Sequence, residues 1–309
     1  MDRPIDFSRP RWMLCGRCTR QWMVDLDWID RWEQSRESCP DCGVTCETET
    51  GPRVTVAPDD PALRNAAERL PWFHTSTHPD WPAEHFAPEE SLSAATKEMF
   101  EQNGSSVASW AERQRAKALH IGTYEAAVHN MLRRISDQGD RGKQFYLYRV
   151  RLTADITLRD SWIADPGGLV GDVPLTDVCP PGVLATRYRN DHEDPGGLSL
   201  ALGRSAIAST QRISIPEAAD RECDHLWVQT AVAELENAVP TRRAKAHDLV
   251  VPLAQQLPVN LRRQFSAAVA FDEDQDTEEW ATYTNALVNM VTAPELILAA
   301  LDQQPIRCL

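Results

Sequence analysis

Cys15-Gly16-Arg17-Cys18, then twenty residues, then Cys39-Pro40-Asp41-Cys42-Gly43: this spacing decides how the amino-terminal end of the chain folds. Two C-x-x-C turns joined by a short hairpin or helical arm let four thiolates converge tetrahedrally on one ion, and zinc is the metal that suits four cysteine ligands. Gly16 and Gly43 relieve the crowded backbone at each turn. Cys15, Cys18, Cys39 and Cys42 are therefore the expected metal ligands.

The arrangement resembles a zinc ribbon, here assigned to residues 1–52. A module of about 50 residues buries too small a core to be stable alone, so ligation is expected to supply much of its folding energy. The competing readings are a pair of disulfides, which needs an oxidising compartment, and a thioredoxin-like redox site, which needs one C-x-x-C in a βαβ setting. Cys46 lies near enough to be a spare thiol, but Cys46, Cys179, Cys223 and Cys308 have no ligand spacing. Trp12, Trp22, Trp28 and Trp32 crowd the module, either as its core, the preferred reading, or as an exposed binding face. Up to Pro52 there are seven arginines and no lysine against ten carboxylates, which favours protein contact or plain stability over DNA reading.

The whole chain has 309 residues, suited to about two domains, and 46 acidic against 32 basic side chains, a formal charge of −14. Such a balance works against binding to phosphate backbones, so nucleic acid is not the expected partner. With 42% hydrophobic and 25% charged residues the composition is that of a folded protein. No run approaches the roughly 18 apolar residues of a membrane span, and the opening residues lack the apolar segment of a secretion signal. The expectation is a cytoplasmic protein without a membrane segment.

Beyond the ribbon, Gly51-Pro52 and Pro58-Asp59-Asp60-Pro61 punctuate the chain as a linker. Residues 62–215 read as α+β. Tyr124, Val128, Met131, Leu132 and Ile135 recur at helical spacing behind Thr123 as N-cap. In Phe145 to Leu152, Tyr148, Val150 and Leu152 alternate against Arg149 and Arg151, as in a half-buried strand. Leu198, Leu200 and Leu202 alternate similarly, Ile213 and Ile215 mark another strand, and Asp165-Pro166-Gly167-Gly168 and Cys179-Pro180-Pro181-Gly182 read as loops. Over residues 216–309 strands disappear and helices follow, with capping boxes expected at Asp276-Thr277-Glu278-Glu279 and Thr292-Ala293-Pro294-Glu295. Asp272, Asp274 and Asp276 alternate as in a calcium loop, but Thr277 and Tyr283 stand where glycine and glutamate are needed, so the segment reads as a solvated turn.

Three polar stretches in the α+β region stand out: Trp72-Phe73-His74-Thr75-Ser76-Thr77, Leu119-His120-Ile121-Gly122-Thr123, and Tyr188 to Ser199 with Asn190-Asp191-His192-Glu193-Asp194. A strand ending in His-x-Gly-Thr and leading straight into a helix resembles the first motif of the ADP-ribosyltransferase fold, and the likeness extends over about 100 residues, from Leu119 to Ile215. It implies a split mixed β-sheet gripping NAD. His120 would hold a ribose hydroxyl, Gly122 and Thr123 would flank the backbone that holds the nicotinamide amide, and Tyr146 or Tyr148 would stack on the ring. Glu193 would complete the triad, and Asp191, two residues earlier, would orient the acceptor if the backbone there is extended. His74 is the rival for the ribose. Ile121 departs from the family pattern, which has glycine directly after the histidine. His78, His85, His129, His225 and His247 receive no role.

The chemistry needs these residue types because breaking the nicotinamide–ribose bond builds positive charge on the sugar, which a carboxylate at the 2′-hydroxyl stabilises. Each residue also has a plain structural reading: Thr123 is explained by capping alone, and Glu193 by a solvated turn. The resulting expectation is an NAD-dependent ADP-ribosyltransferase or NAD hydrolase, a regulator or a bacterial or phage effector, whose ribbon recruits a protein target. The alternative is a non-enzymatic adaptor whose ribbon and helices bind protein. Geometry separates them: the enzyme reading gains if His120 and Glu193 face one cleft with a tyrosine beside them.

Overall fold

In the computed structural model the residues described are 3–64, 67–167, 172–215 and 222–309. The junction expected at 215/216, the end of the Asp165–Gly168 loop and the Cys223 side chain fall partly or wholly outside them. The chain begins with strands β1 (Arg11–Cys15) and β2 (Gln21–Val24), helix α1 (Leu26–Glu33) and strand β3 (Pro52–Thr55), which form an antiparallel sheet in the order β2-β1-β3. Met13, Val24, Ile29 and Val54 make its small core, with Trp22, Trp28 and Trp32 packed on it while partly exposed. These tryptophans are thus both core and surface.

The central region contributes β4 (Trp72–Ser76), α2 (Ala94–Gln102), α3 (Val107–Arg115), β5 (Leu119–Ile121), α4 (Tyr124–Asp137), β6 (Phe145–Leu152), α5 (Leu175–Val178), β7 (Ala185–Arg189), β8 (Leu198–Leu202) and β9 (Ile207–Ile215). The last third is helical: α6 (Glu222–Glu236), α7 (Arg242–Gln256), α8 (Val259–Ala268), α9 (Thr277–Thr292) and α10 (Pro294–Asp302), ending in β10 (Arg307–Cys308). The architecture is α+β with several antiparallel sheets. Where a mixed sheet was expected, the named strands pair antiparallel in the orders β10-β9-β6-β4 and β5-β8-β7, and parallel contacts are single bridges such as Ile163 to Tyr188. The two sheets are joined where Phe73 and Gly122 exchange both backbone hydrogen bonds, each 2.9 Å.

Helix α4 forms as its apolar spacing requires, with Thr123 Oγ1 accepting from Ala126 N–H at 3.0 Å. It is buried on nearly every side because β4 covers one flank and the carboxy-terminal helices the other. Val128, Met131, Leu132 and Ile135 share one core with Phe145, Leu147, Leu253, Leu261, Phe265 and Trp280. The carboxy-terminal helices therefore pack on the α+β region itself.

Three further sequence expectations change. Leu198–Leu202 is buried at every position, not half-buried, because β8 is the middle strand of its sheet and both faces are covered. Strands do return after residue 216, since β10 pairs with β9 at the sheet edge. Asp276 caps α9 by accepting from Glu279 N–H at 2.8 Å, but Thr292 lies inside α9, its hydroxyl donating to Val288 O, and α10 starts at Pro294 without a side-chain cap. No single helix among the described residues is long and apolar enough to cross a membrane.

Candidate functional site

The four expected cysteines lie together, their sulfur atoms all within 4.8 Å of one another, with Cys15 Sγ 3.6 Å from Cys42 Sγ and Cys18 Sγ 3.6 Å from Cys39 Sγ. None forms a disulfide. The two turns repeat one hydrogen-bond pattern. Thr19 N–H donates to Cys15 O and Gly43 N–H to Cys39 O, while Cys15 N–H donates to Arg20 O and Cys39 N–H to Val44 O, at 2.9–3.0 Å. The residue after each second cysteine takes a left-handed backbone, Gly43 at φ 69° and Thr19 at φ 59°. The first turn thus places a β-branched residue where glycine is favoured. Gly16 is needed for another reason: a Cβ there would sit 3.1 Å from the Thr50 backbone. Four converging sulfurs with no carboxylate or histidine among them suit a closed tetrahedral zinc site.

The second site is a cleft of about 660 Å³ between β4, β5, α4 and the Asn190–Gly197 loop. His74, His120, Gly122, Glu193 and Tyr188 all line it. His120 Nδ1 is 3.1 Å from the Tyr188 hydroxyl, and the two rings meet edge-on. His74 stacks on Trp81 at 4.0 Å. Burial, aided by the charge of Arg134, lowers the His74 imidazole to about 3 against a hydrogen bond with the His120 backbone, so it is neutral at ordinary pH. The rival histidines are therefore neighbours in one cleft.

Glu193 accepts from Arg133 Nη2 at 2.9 Å and Asn130 Nδ2 at 3.1 Å, both one face of α4, and its carbonyl lies 2.8 Å from His129 Nδ1. Burial pushes its carboxyl up, but Arg133 and Asn130 outweigh burial and hold it below the usual range. Burial and the negative charges of Glu193 and Asp191 push Asp165, across the cleft, upward. Lys117, Arg133 and Arg134 line the cleft together with the carboxylates Asp140, Asp165 and Glu193, so its formal charges balance. Arg134 is itself paired with Asp140, at 2.6 Å.

Other expected residues lie elsewhere. Asp191 is paired with Arg189, Oδ1 to Nε 2.5 Å, and lines a different cavity against the ribbon. The extended backbone that would put Asp191 and Glu193 on one face does not form, because Asn190 Oδ1 accepts the N–H groups of His192, Glu193 and Asp194 at 2.8–3.1 Å and curls the chain. Tyr148 is buried, its hydroxyl donating to His78 O at 2.6 Å; burial pushes it up to about 12. Tyr146 packs under the Arg212 guanidinium. Neither lines the cleft: Tyr148 lies against Trp81 at 5.3 Å, and both tyrosines pack in the core that holds Leu198 and Leu200. Gly122 reaches the cleft, but its N–H and C=O are both taken by Phe73, and Thr123 turns away to donate to Asp194 Oδ2 at 2.8 Å.

Tyr188 is the aromatic residue that sequence reasoning passed over. Strand register carries the signal: Tyr188 pairs with Ser199 and His120 with Ala201 on the two edges of β8, two residues apart and hence on one face. No family model matches the chain, and comparison with curated proteins and with solved structures yields no match either.

Proposed function

We propose that the protein binds NAD in the His120–Glu193 cleft and cleaves its nicotinamide–ribose bond, passing ADP-ribose to a macromolecular acceptor or to water. The observation that carries this reading is the meeting of His120 and Glu193, 73 positions apart in the chain, in one cleft with Tyr188 hydrogen-bonded to the histidine. Tyr188 takes the aromatic role assigned by resemblance to Tyr146 or Tyr148. When the glycosidic bond breaks, its electron pair leaves with nicotinamide and the ribose becomes cationic. An ionised carboxylate at the 2′-hydroxyl stabilises that state more than the ground state, and Arg133 and Asn130 keep Glu193 ionised for it. The acceptor's lone pair then closes on the ribose carbon, and its proton is lost to solvent.

On this reading Cys15, Cys18, Cys39 and Cys42 hold one zinc ion, whose closed sulfur set supplies folding energy to the ribbon. Their free thiols fit a cytoplasmic setting. Exposed Met23 beside the partly exposed Trp12, its partner across β1 and β2, offers the ribbon surface on which a protein target would dock.

The test is incubation with labelled NAD, scored for nicotinamide release and for label transfer. Glu193→Gln should lower release by about 10²–10³-fold with NAD still bound; wild-type protein that binds no NAD would end the reading. A second reading, a non-enzymatic adaptor, draws on the Gly122 backbone and Thr123 being engaged in structure rather than open to a ligand. It predicts NAD or nucleotide binding at most, with no nicotinamide release.

A further inference from the structure

The loop from Asn190 to Gly197 carries two consecutive carboxylates with opposite destinations. It is closed by backbone bonds from Asn190 N–H to Gly197 O, Gly196 N–H to Asn190 O and Gly197 N–H to Asp194 O, at 2.7–2.8 Å. The Asn190 side chain gathers three further N–H groups inside it. Within this frame Glu193 turns to α4 and the cleft, and Asp194 turns to the ribbon arm.

Asp194 is 1% exposed. Its Oδ1 lies 2.7 Å from Arg9 Nη2 and 3.2 Å from Arg11 Nη2, and its Oδ2 accepts from Thr123. Arg11 is the first residue of β1, the strand that ends at Cys15, and it is itself buried, with Nε and Nη1 making no hydrogen bond among the described residues. The ribbon also presses on the loop from its far strand: a Cβ at Gly196, where φ is 79°, would meet Thr55 O at 2.7 Å. Continuous structure therefore runs from a cysteine of the cluster along β1 to Arg11, across the ion pair to Asp194, and over one peptide bond to Glu193.

We propose that Asp194 is a positioning residue through which the ribbon arm holds Glu193 in the cleft, so that the four-cysteine module forms part of the scaffold of the site. This rests on Glu193 being the carboxylate that steadies the ribose. A buried aspartate gripped by two arginines cannot shift without leaving charge uncompensated, so its neighbour in a closed loop is held with it. Loss of the metal frees the start of β1 and with it the grip.

The test uses full-length protein as wild type, as Asp194→Asn, and as wild type stripped with a chelator. Zinc content, kcat and KM for nicotinamide release, and titration of the Glu193 carboxyl by carbon NMR are read on each. Asp194→Asn should keep its zinc and lower kcat at least about tenfold with KM for NAD changed less than about threefold, since misplacing a catalytic group penalises the chemical step. In both altered proteins the Glu193 carboxyl should rise toward its ordinary range as it slips from Arg133 and Asn130; His129, Arg133, Asp165 and Tyr188 are the charged or titratable groups facing it. An unchanged Glu193 titration in both would overturn the proposal. If wild-type protein releases no nicotinamide, the NAD reading falls and the titration alone decides the positioning role. Should Asp194→Asn fail to fold, Arg11→Lys against Arg11→Met serves instead: lysine should preserve the Glu193 titration and methionine should not, and identical behaviour would overturn the proposal.

Discussion

The cysteine cluster and the His120–Glu193 cleft are built on opposite principles. Four ligands of the cluster lie within 28 residues, on two turns that repeat the same hydrogen bonds. The cleft gathers His74, His120 and Tyr188 from three strands and Glu193 from the loop after β7. A local site can be recognised by spacing; a distributed one depends on the register of every strand between its parts. The Asp194 ion pairs nevertheless link the arm that carries Arg9 and Arg11 to the loop that carries Glu193.

The largest test of that contrast is Cys39→Ser. Removing one of four thiolates should abolish binding of one zinc per chain and unfold the ribbon, because ligation in small zinc modules contributes on the order of 10 kcal/mol. Metal analysis with circular dichroism checks it. Retained zinc stoichiometry would show that the cluster is not the metal site. With Arg11 and Arg9 holding Asp194, the thermal midpoint of the remainder should fall too.

Gly122→Ala probes the distributed site. A Cβ there would come 2.9 Å from Ser199 Oγ and 3.0 Å from Ala126 Cβ, so the substitution should destabilise by about 1–3 kcal/mol in urea titration while leaving zinc content untouched. A neutral outcome would mean that the joint between the two sheets is looser than its paired hydrogen bonds imply.

The smallest effect is in pH dependence. His74 is held at about 3 in the folded chain by burial, and burial also lowers His78 and His129, whereas an unfolded histidine titrates near 6.5. The unfolded state therefore binds the proton first. Stability should be level above pH ~7 and fall as pH drops below ~6.5, by about 1–2 kcal/mol for His74 at pH 5. Asp194 and Glu193, whose carboxyls are held low, should add their loss only below pH ~4. His74→Asn should flatten the slope between pH 5 and 6.5; an unchanged slope would show that His74 is solvated.

Much of the secondary structure was legible, and for stated reasons. The apolar spacing from Tyr124 to Ile135 and the Thr123 cap fit α4, and the Asp276 cap fits α9. Leu198–Leu202 read as half-buried because alternation reports which residues face one side, not whether the other side is covered. Asp191 was placed with Glu193 on the assumption of extended backbone, and one side-chain amide, that of Asn190, was enough to undo it. The resemblance points to Tyr146 and Tyr148 because they sit on the strand between the two motifs, a criterion with no bearing on which side chains reach the cleft; Tyr188, also between His120 and Glu193 in the chain, is the one that does.

The amino-acid sequence by itself determined the cysteine cluster, the acidic balance and the principal amphipathic helix, since each depends on spacing within one or two turns of chain or on composition. Tertiary structure alone decided that His120 and Glu193 line one cleft, that Tyr188 sits there against His120, and that Asp194 turns the other way to grip the ribbon arm. Those outcomes depend on strand order across β5-β8-β7 and on one closed loop, where a shift of a single residue reverses the direction of every side chain.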